Sequence, residues 1–345
     1  MITRSAPGGQ DWTNELAEAF RETDALCKAL DLTDPQIAQG ARQAAAAFPL
    51  RVTRSFAARM TAGNLGDPLL RQVLPLACEQ DMTPGFNRDP VGDLTASPVP
   101  GLIHKYHGRA LLMLTGVCPV HCRYCFRRHF PYTGQGATQD RWPAIRTYLT
   151  AHPEIREIIL SGGDPLTLSD RHLGQWLDVL AGLPQIVRLR LHTRVPVVLP
   201  NRITEPLVRT LTGSRLPVVV VIHCNHPGEL DESARQALQQ LKSAGMLLLN
   251  QSVLLRGVND QAEILVTLSE ALMAAGVVPY YLHQLDPVAG AAHFQVPDPE
   301  AARLLDTLAA RLPGYLVPRW VREIPGASSK QTPHEVVLKP PSKLR

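Results

Sequence analysis

The sequence predicts an α/β fold: a parallel sheet closed partly or fully into a (β/α) barrel, with a helical extension before it. Two observations point there. From Arg109 onward, short apolar runs recur between segments of helical periodicity. Six or more such units bury their strands on both faces only if the sheet is parallel and covered by helices. The length of 345 residues suits a barrel plus an extension rather than one ordinary domain. Three parts are expected: a helical extension with a boundary loop over 1–100, the barrel with a lysine-bearing loop over 101–333, and a solvated basic tail over 334–345. A doubly wound sheet is the alternative architecture.

From Asp11 to about Ala77 the pattern is helical. Leu16, Phe20 and Leu26 recur near helical spacing, and Asp34-Pro35 reads as an N-cap followed by proline at the first helical position. This region is expected to cap the body. From Asp81 to Pro100 proline, glycine, asparagine and aspartate mark a loop. Strands are then expected at Ala110–Leu114, Glu157–Leu160, Val187–Leu191, Pro217–Ile222, Leu247–Leu254 and Val278–Leu282, with a seventh at Trp320–Ile324. Four intervening helices have clear signals. One starts at Ser169 with Leu173, Trp176, Leu177 and Leu180 on one face, and one carries Leu230, Ala234, Ala237, Leu238 and Leu241 and stops at Gly245. The third has Ile264, Leu265, Leu268 and Leu272 before Gly276, and the fourth opens at Asp298-Pro299-Glu300 with Asp298 as cap.

The formal charge of +4 is small for this length and the basic residues are spread out, so composition does not point to nucleic acid. The N-terminus lacks the apolar core of a signal peptide, and no unbroken apolar span of membrane length occurs. Six cysteines do not make a disulfide framework, and a reducing cytosol suits them.

Three of those cysteines fall in Cys118-Pro-Val-His-Cys122-Arg-Tyr-Cys125, directly after the first expected strand. Three thiolates so spaced can face one soft-metal centre. A structural zinc site takes four protein ligands, which His121 or His129 would have to complete. A cubane iron–sulfur cluster on three thiolates leaves one iron open, and that is the reading we take forward. In a parallel α/β sheet chemistry gathers at the C-terminal strand ends, and here those ends are polar: Ser161-Gly162-Gly163-Asp164, His192-Thr-Arg194, His223-Cys-Asn225-His226, Asn250-Gln-Ser252, His283-Gln-Leu-Asp286 and Pro325-Gly-Ala-Ser-Ser-Lys330. The glycine pair is either a plain turn or a place where a ligand approaches the backbone, with Asp164 accepting from a ligand amine. Lys330 is an exposed loop lysine or, if its loop folds over the barrel mouth, a Schiff-base lysine. Arg127 and Arg128 are surface charge or carboxylate clamps. Asp286 is a turn residue or an ammonium partner.

Cys118-x3-Cys122-x2-Cys125, with Tyr124 before the last cysteine, resembles the pattern of the radical S-adenosylmethionine (SAM) enzymes. The surrounding text is similar to one of their families, lysine 2,3-aminomutase. The likeness rests on Cys122-Arg-Tyr-Cys-Phe-Arg-Arg128, Leu160-Ser-Gly-Gly-Asp164, Arg194-Val-Pro-Val-Val-Leu-Pro200, His223-Cys-Asn-His-Pro227, Asn250-Gln-Ser-Val-Leu-Leu-Arg-Gly-Val-Asn-Asp260, Tyr280-Tyr-Leu-His-Gln-Leu-Asp286 and the loop ending at Lys330. It runs from about residue 100 to 333. The resemblance implies a barrel of radical SAM type, a [4Fe–4S] cluster on Cys118, Cys122 and Cys125, and SAM beside Gly162, Gly163 and Asp164. It further implies pyridoxal 5′-phosphate (PLP) on Lys330, the substrate carboxylate on Arg127, and the distal ammonium of L-lysine on Asp286.

Two departures qualify the match. The family has a second aspartate seven residues before the PLP lysine, where this chain has Glu323, here expected to bind substrate with altered reach. The catabolic members also continue into a zinc-binding extension, whereas this sequence ends soon after Lys330. Its shorter form, with Phe48-Pro-Leu-Arg-Val and Ser55-Phe-Ala-Ala-Arg-Met, resembles the bacterial branch called EpmB. That branch makes (R)-β-lysine for a ligase to attach to elongation factor P. An aminomutase for another amino acid such as glutamate is a rival, which Asp286 opposes by charge. A non-catalytic zinc-binding protein is the other.

Overall fold

Runs of valine, isoleucine and leucine without polar alternation suit strands buried on both faces. In the computed structural model, which describes residues 11–333, these runs form one eight-stranded sheet whose order in space is their order in sequence. The strands are β1 (Leu102–Tyr106), β2 (Arg109–Thr115), β3 (Glu157–Gly162), β4 (Arg188–Thr193), β5 (Val218–His223), β6 (Leu247–Val253), β7 (Val278–His283) and β8 (Arg319–Val321). Every pairing from β2 to β8 is parallel. All seven expected strands are present. The last ends at Val321 rather than Ile324, because Arg322 leaves the ladder to bridge Gln331.

β1 is an addition to that expectation, and it makes the sheet mixed. It pairs antiparallel with β2, Tyr106 opposite Arg109, through a His107-Gly108 turn in which Gly108 takes φ +77°. β1 and β8 are the sheet's edges. Even so, Lys105 of β1 reaches Glu323, two residues past β8, at 2.9 Å. The sheet therefore curls into a barrel left open along one seam, where side chains rather than a ladder connect the edges.

Helices follow most of the strands: Trp142–Ala151, Asp170–Ala181, Glu205–Thr212, Glu232–Ser243, Ala262–Ala274 and Asp298–Arg311. The first and third of these go beyond the four the sequence predicts. Ser169 and Asp231 cap their helices with side-chain oxygens, as their residue types favour. Asp298 does not cap: its carboxylate lies 2.5 Å from Arg322 Nη2, and Pro297 stands at the cap position. Along the strands, Leu191, Ile222 and Leu282 are buried in the core, while their neighbours His192, His223 and His283 line the barrel's interior cavity.

The region before the sheet contains the helices Trp12–Ala17, Thr23–Ala29 and Pro35–Ala47 and two shorter ones, with Asp34 capping the third. It is more than a cap. Arg51 O accepts from His121 N at 2.9 Å, and Gln72 O accepts from Arg123 N at 2.9 Å, so it supports the cysteine loop from beneath. Glu79 receives Arg123 on both oxygens at 2.9 and 2.6 Å and Arg128 at 2.6 Å, all three side chains being buried. Glu79→Gln would leave two buried guanidinium groups short of their counter-charge. The expected cost is ~3–5 kcal/mol, read from the denaturant midpoint. The basic tail expected over 334–345 and the N-terminal stretch over 1–10 lie outside the described residues.

Candidate active site

The barrel interior holds one cavity of about 350 Å³. Its walls bring together Cys118, Cys122, Cys125, Gly162, Gly163, Asp164, Arg127, Asp286, Glu323 and Lys330, which are scattered over more than 200 positions of sequence. Positions before the strand ends contribute too: Arg109 at the start of β2, and Arg190, Tyr280 and Tyr281 in mid-strand, also face it.

The cysteine loop leaves β2 at Thr115 and is stitched to the end of β3. Gly163 N donates to Thr115 O at 2.6 Å, and Asp164 N donates to Val117 O at 2.7 Å. A Cβ on Gly162 would collide with Thr115 O, and one on Gly163 with Val117 O; Gly162 also has φ +120°. The glycine pair makes room for the chain's own backbone, as the plain-turn reading of the two left open by the sequence expects. Gly163→Ala is expected to push Val117 outward and drag Cys118 with it, at an overpacking cost of ~1–3 kcal/mol. Iron bound per folded chain after anaerobic reconstitution should fall well below that of the parent protein.

Asp164 stands in the turn directly after β3. Its carboxylate is buried and accepts from Thr193 Oγ1 at 2.8 and 3.0 Å, Arg194 N at 2.7 Å and Leu166 N at 3.1 Å. Those three donors tie the carboxylate to the end of β4 and to its own turn. Burial nevertheless pushes its carboxyl up.

Burial and neighbouring charge raise the Cys118 thiol well above its ordinary value and the Cys125 thiol to about 11. Neighbouring thiols in such a wall resist ionising together unless a cationic centre takes them, which is what a thiolate-bound iron cluster supplies. Behind them Arg194 places Nη1 at 2.7 Å from Cys122 Sγ and Nη2 at 2.6 Å from Gln72 and 2.9 Å from Glu229. Tyr124 continues this buried network to His223 at 2.9 Å and Asn225 at 2.6 Å. The histidines that would complete a zinc site are turned elsewhere, His121 to Pro49 O at 2.8 Å and His129 to Ala289 O at 3.0 Å. Among the described residues no three His, Cys, Asp or Glu side chains converge on a single-ion position. A cubane presents separate irons to separate thiolates and does not require such convergence.

Arg127 donates Nε to Asp93 at 2.6 Å and Nη1 to Ser161 at 3.4 Å, and stacks 4.6 Å from the Phe126 ring centroid. Asp93 also binds Lys105 at 2.5 Å. Asp286 lies in the cavity wall surrounded by protein, and its Oδ1 has no hydrogen-bond partner. Burial, reinforced by the charge of Glu323, lifts its carboxyl to about 7. His192 and His283 each present a buried Nε2 without a partner, and burial chiefly keeps both neutral. Orphaned polar atoms facing one cavity suit a site made for a polar ligand. Lys330 Nζ lies 2.7 Å from Glu323 Oε2 and 6.0 Å from the Tyr281 ring centroid, so it is tucked into the cavity. Sequence reasoning missed Asp93 and Lys105 and gave Arg194 no role. Lys105 sits in the unpredicted β1, and Asp93 in a stretch read only as loop.

No protein-family profile matches the chain. Curated relatives do. L-lysine 2,3-aminomutase of Escherichia coli K12 is 48% identical over 339 residues, covering 98% of each chain. The enzyme of the same name from Haemophilus influenzae is 44% identical over 93% of this chain and 95% of its own. The chain belongs to the L-lysine 2,3-aminomutase family. A longer relative of that name from Clostridium subterminale is 35% identical over 93% of this chain and 77% of its own length. A solved radical SAM methyltransferase from Sphaerobacter thermophilus superposes with TM-score 0.44 and 18% identity over 64% of this chain and 68% of that one, too slight a likeness to carry an argument. Within the L-lysine 2,3-aminomutase family the alignment to the E. coli relative spans nearly the whole chain, so it takes in the region that supports the cysteine loop as well as the barrel.

Proposed function

We propose that the chain is a radical SAM, PLP-dependent L-lysine 2,3-aminomutase that converts L-α-lysine to (R)-β-lysine in the cytoplasm. Cys118, Cys122 and Cys125 would hold a [4Fe–4S] cluster, with SAM against it near Gly162, Gly163 and Asp164, and Lys330 would carry PLP. The product would pass to a ligase that joins it to elongation factor P, in keeping with the resemblance to the short bacterial branch.

One observation carries the reading: a single cavity presents three thiols, a lysine, the cationic Arg127 and the uncompensated carboxyl of Asp286. When bound, the cofactors would supply one-electron reduction, hydrogen abstraction and a conjugated carrier for the migrating amino group. The chain's residues do the positioning. Arg127, oriented by Asp93, offers its outer guanidinium nitrogens to the substrate carboxylate. Asp286 receives the distal ammonium, and gripping both ends sets which carbon faces the cluster side. A glutamate substrate would bring a second carboxylate toward Asp286, against its charge. Among the described residues no helix is long and apolar enough to cross a membrane.

Anaerobically purified protein is expected to be brown and to contain iron and sulfide. With L-lysine, SAM, PLP and a reductant it should release β-lysine of R configuration, resolved by chiral chromatography. Stoichiometric zinc without iron would instead establish the zinc-binding alternative.

A further inference from the structure

Charged side chains form an unbroken line along the cavity wall. Arg127 Nε donates to Asp93 at 2.6 Å, Asp93 lies 2.5 Å from Lys105 Nζ, Lys105 donates to Glu323 Oε1 at 2.9 Å, and Glu323 Oε2 accepts from Lys330 at 2.7 Å. Asp286 stands outside this line with an unpartnered oxygen. Burial by itself would push the Glu323 carboxyl up, yet the charges of Lys330 and Lys105 outweigh it and hold the group well below the usual carboxylate range.

We propose that Glu323, held in place by Lys105, is the receiving group for Lys330 whenever substrate displaces that lysine from the cofactor, and that the distal ammonium of substrate belongs to Asp286 alone. This deepens the function proposed above and rests on it. In the exchange one C–N bond forms to the substrate's α-nitrogen and the C–N bond to Lys330 breaks. The protons that leave the substrate's α-nitrogen are the ones the departing Lys330 nitrogen takes up, which leaves Lys330 as an ammonium, so no further reactant is required. With lysine seated, the line and the substrate bring four cationic groups together, Lys105, Arg127, Lys330 and the distal ammonium, apart from Arg109, Arg190 and Arg194 elsewhere in the wall. Four anionic groups face them: Asp93, Asp286, Glu323 and the substrate carboxylate. Each cation then has its own anion if Lys330 keeps Glu323, Lys105 keeps Asp93, Arg127 takes the substrate carboxylate and the ammonium takes Asp286. Glutamate suits this post, since its two oxygens already bridge two ammonium groups.

The test uses cluster-reconstituted, PLP-loaded enzyme under anaerobic conditions. One readout is the KM for lysine. The other is the rate at which the cofactor absorbance changes on mixing with lysine before SAM is added. E323Q is expected to slow the absorbance change by ~10-fold or more while leaving the lysine KM within about threefold of the parent, the signature of a group that acts on Lys330 rather than on substrate. K105M, which removes the second anchor of Glu323 while keeping its carboxylate, should slow the same change by a smaller factor. E323D tests whether a shorter carboxylate restores part of the rate. A rise in KM of ~10²-fold in E323Q would overturn the proposal and return Glu323 to substrate recognition, and so would an exchange rate equal to that of the parent. Either result leaves the proposed function standing. No lysine-dependent absorbance change in the parent enzyme would overturn both.

Discussion

Lys330→Ala is expected to abolish cofactor anchoring while leaving the iron centre intact. Lys330 and Lys105 are the two lysines in the cavity wall among the described residues, and Lys105 is tied between Asp93 and Glu323. Loss of the covalent anchor should lower turnover by at least ~10³-fold, as removal of a covalent-catalysis residue commonly does. The PLP absorbance should vanish from desalted protein, with iron and sulfide per chain unchanged. Retention of that absorbance together with turnover would show that another amine, Lys105 first among them, holds the cofactor.

Asp286→Asn is expected to lower kcat/KM for lysine by ~10²–10³-fold, the consequence of removing one member of an enclosed charge pair. The same substitution should flatten the pH profile. In the parent the Asp286 carboxyl is lifted to about 7, so lysine binding should strengthen as pH rises through that value and the carboxyl ionises. The asparagine variant should lack this rise. Stability moves the other way. A carboxyl raised in the folded state binds its proton more tightly there than in the unfolded chain, where it titrates near ~3.9. Stability contributed by this group is therefore present at low pH and lost as pH climbs from about 4 to about 7. At neutral pH Asp286→Asn should be the more stable protein, by up to a few kcal/mol on the order of that shift, measured by denaturation of ligand-free enzyme. More stable and less active is the combination expected of a residue kept for function.

Much of this site was legible in sequence because its pieces are local. The three thiols lie within one loop, and in a parallel sheet each strand end faces the same opening, so Asp286 and the Lys330 loop could be placed beside Cys118 without knowing any angle. The rest depends on contacts made only once the sheet curls. Lys105 acquires Glu323 across the open seam, 218 positions away in sequence, from a short strand whose Leu-Ile-His-Lys-Tyr text carries little β signal of its own. Gly162-Gly163 was visible as a pair, but sequence does not say whether missing side chains make room for a ligand or for Thr115 and Val117. Asp164 was visible as an acid at a strand end, while the three donors that hold it come from residues around the next strand end and its own turn. The supporting role of Glu79 and Gln72 was hidden for a similar reason. Nothing in a helical pattern near residue 75 indicates that it lies under a loop near residue 123.

The backbone stitching of Cys118–Cys125 has an entropic consequence. With Thr115, Val117, His121 and Arg123 already hydrogen-bonded to β3, Arg51 and Gln72, the loop that carries the thiols is ordered during folding itself. Small metal-dependent modules order their chain only when the ion arrives, and the binding free energy has to cover that ordering. Here the conformational freedom of the loop is given up beforehand, at the cost of fold stability rather than of cluster affinity.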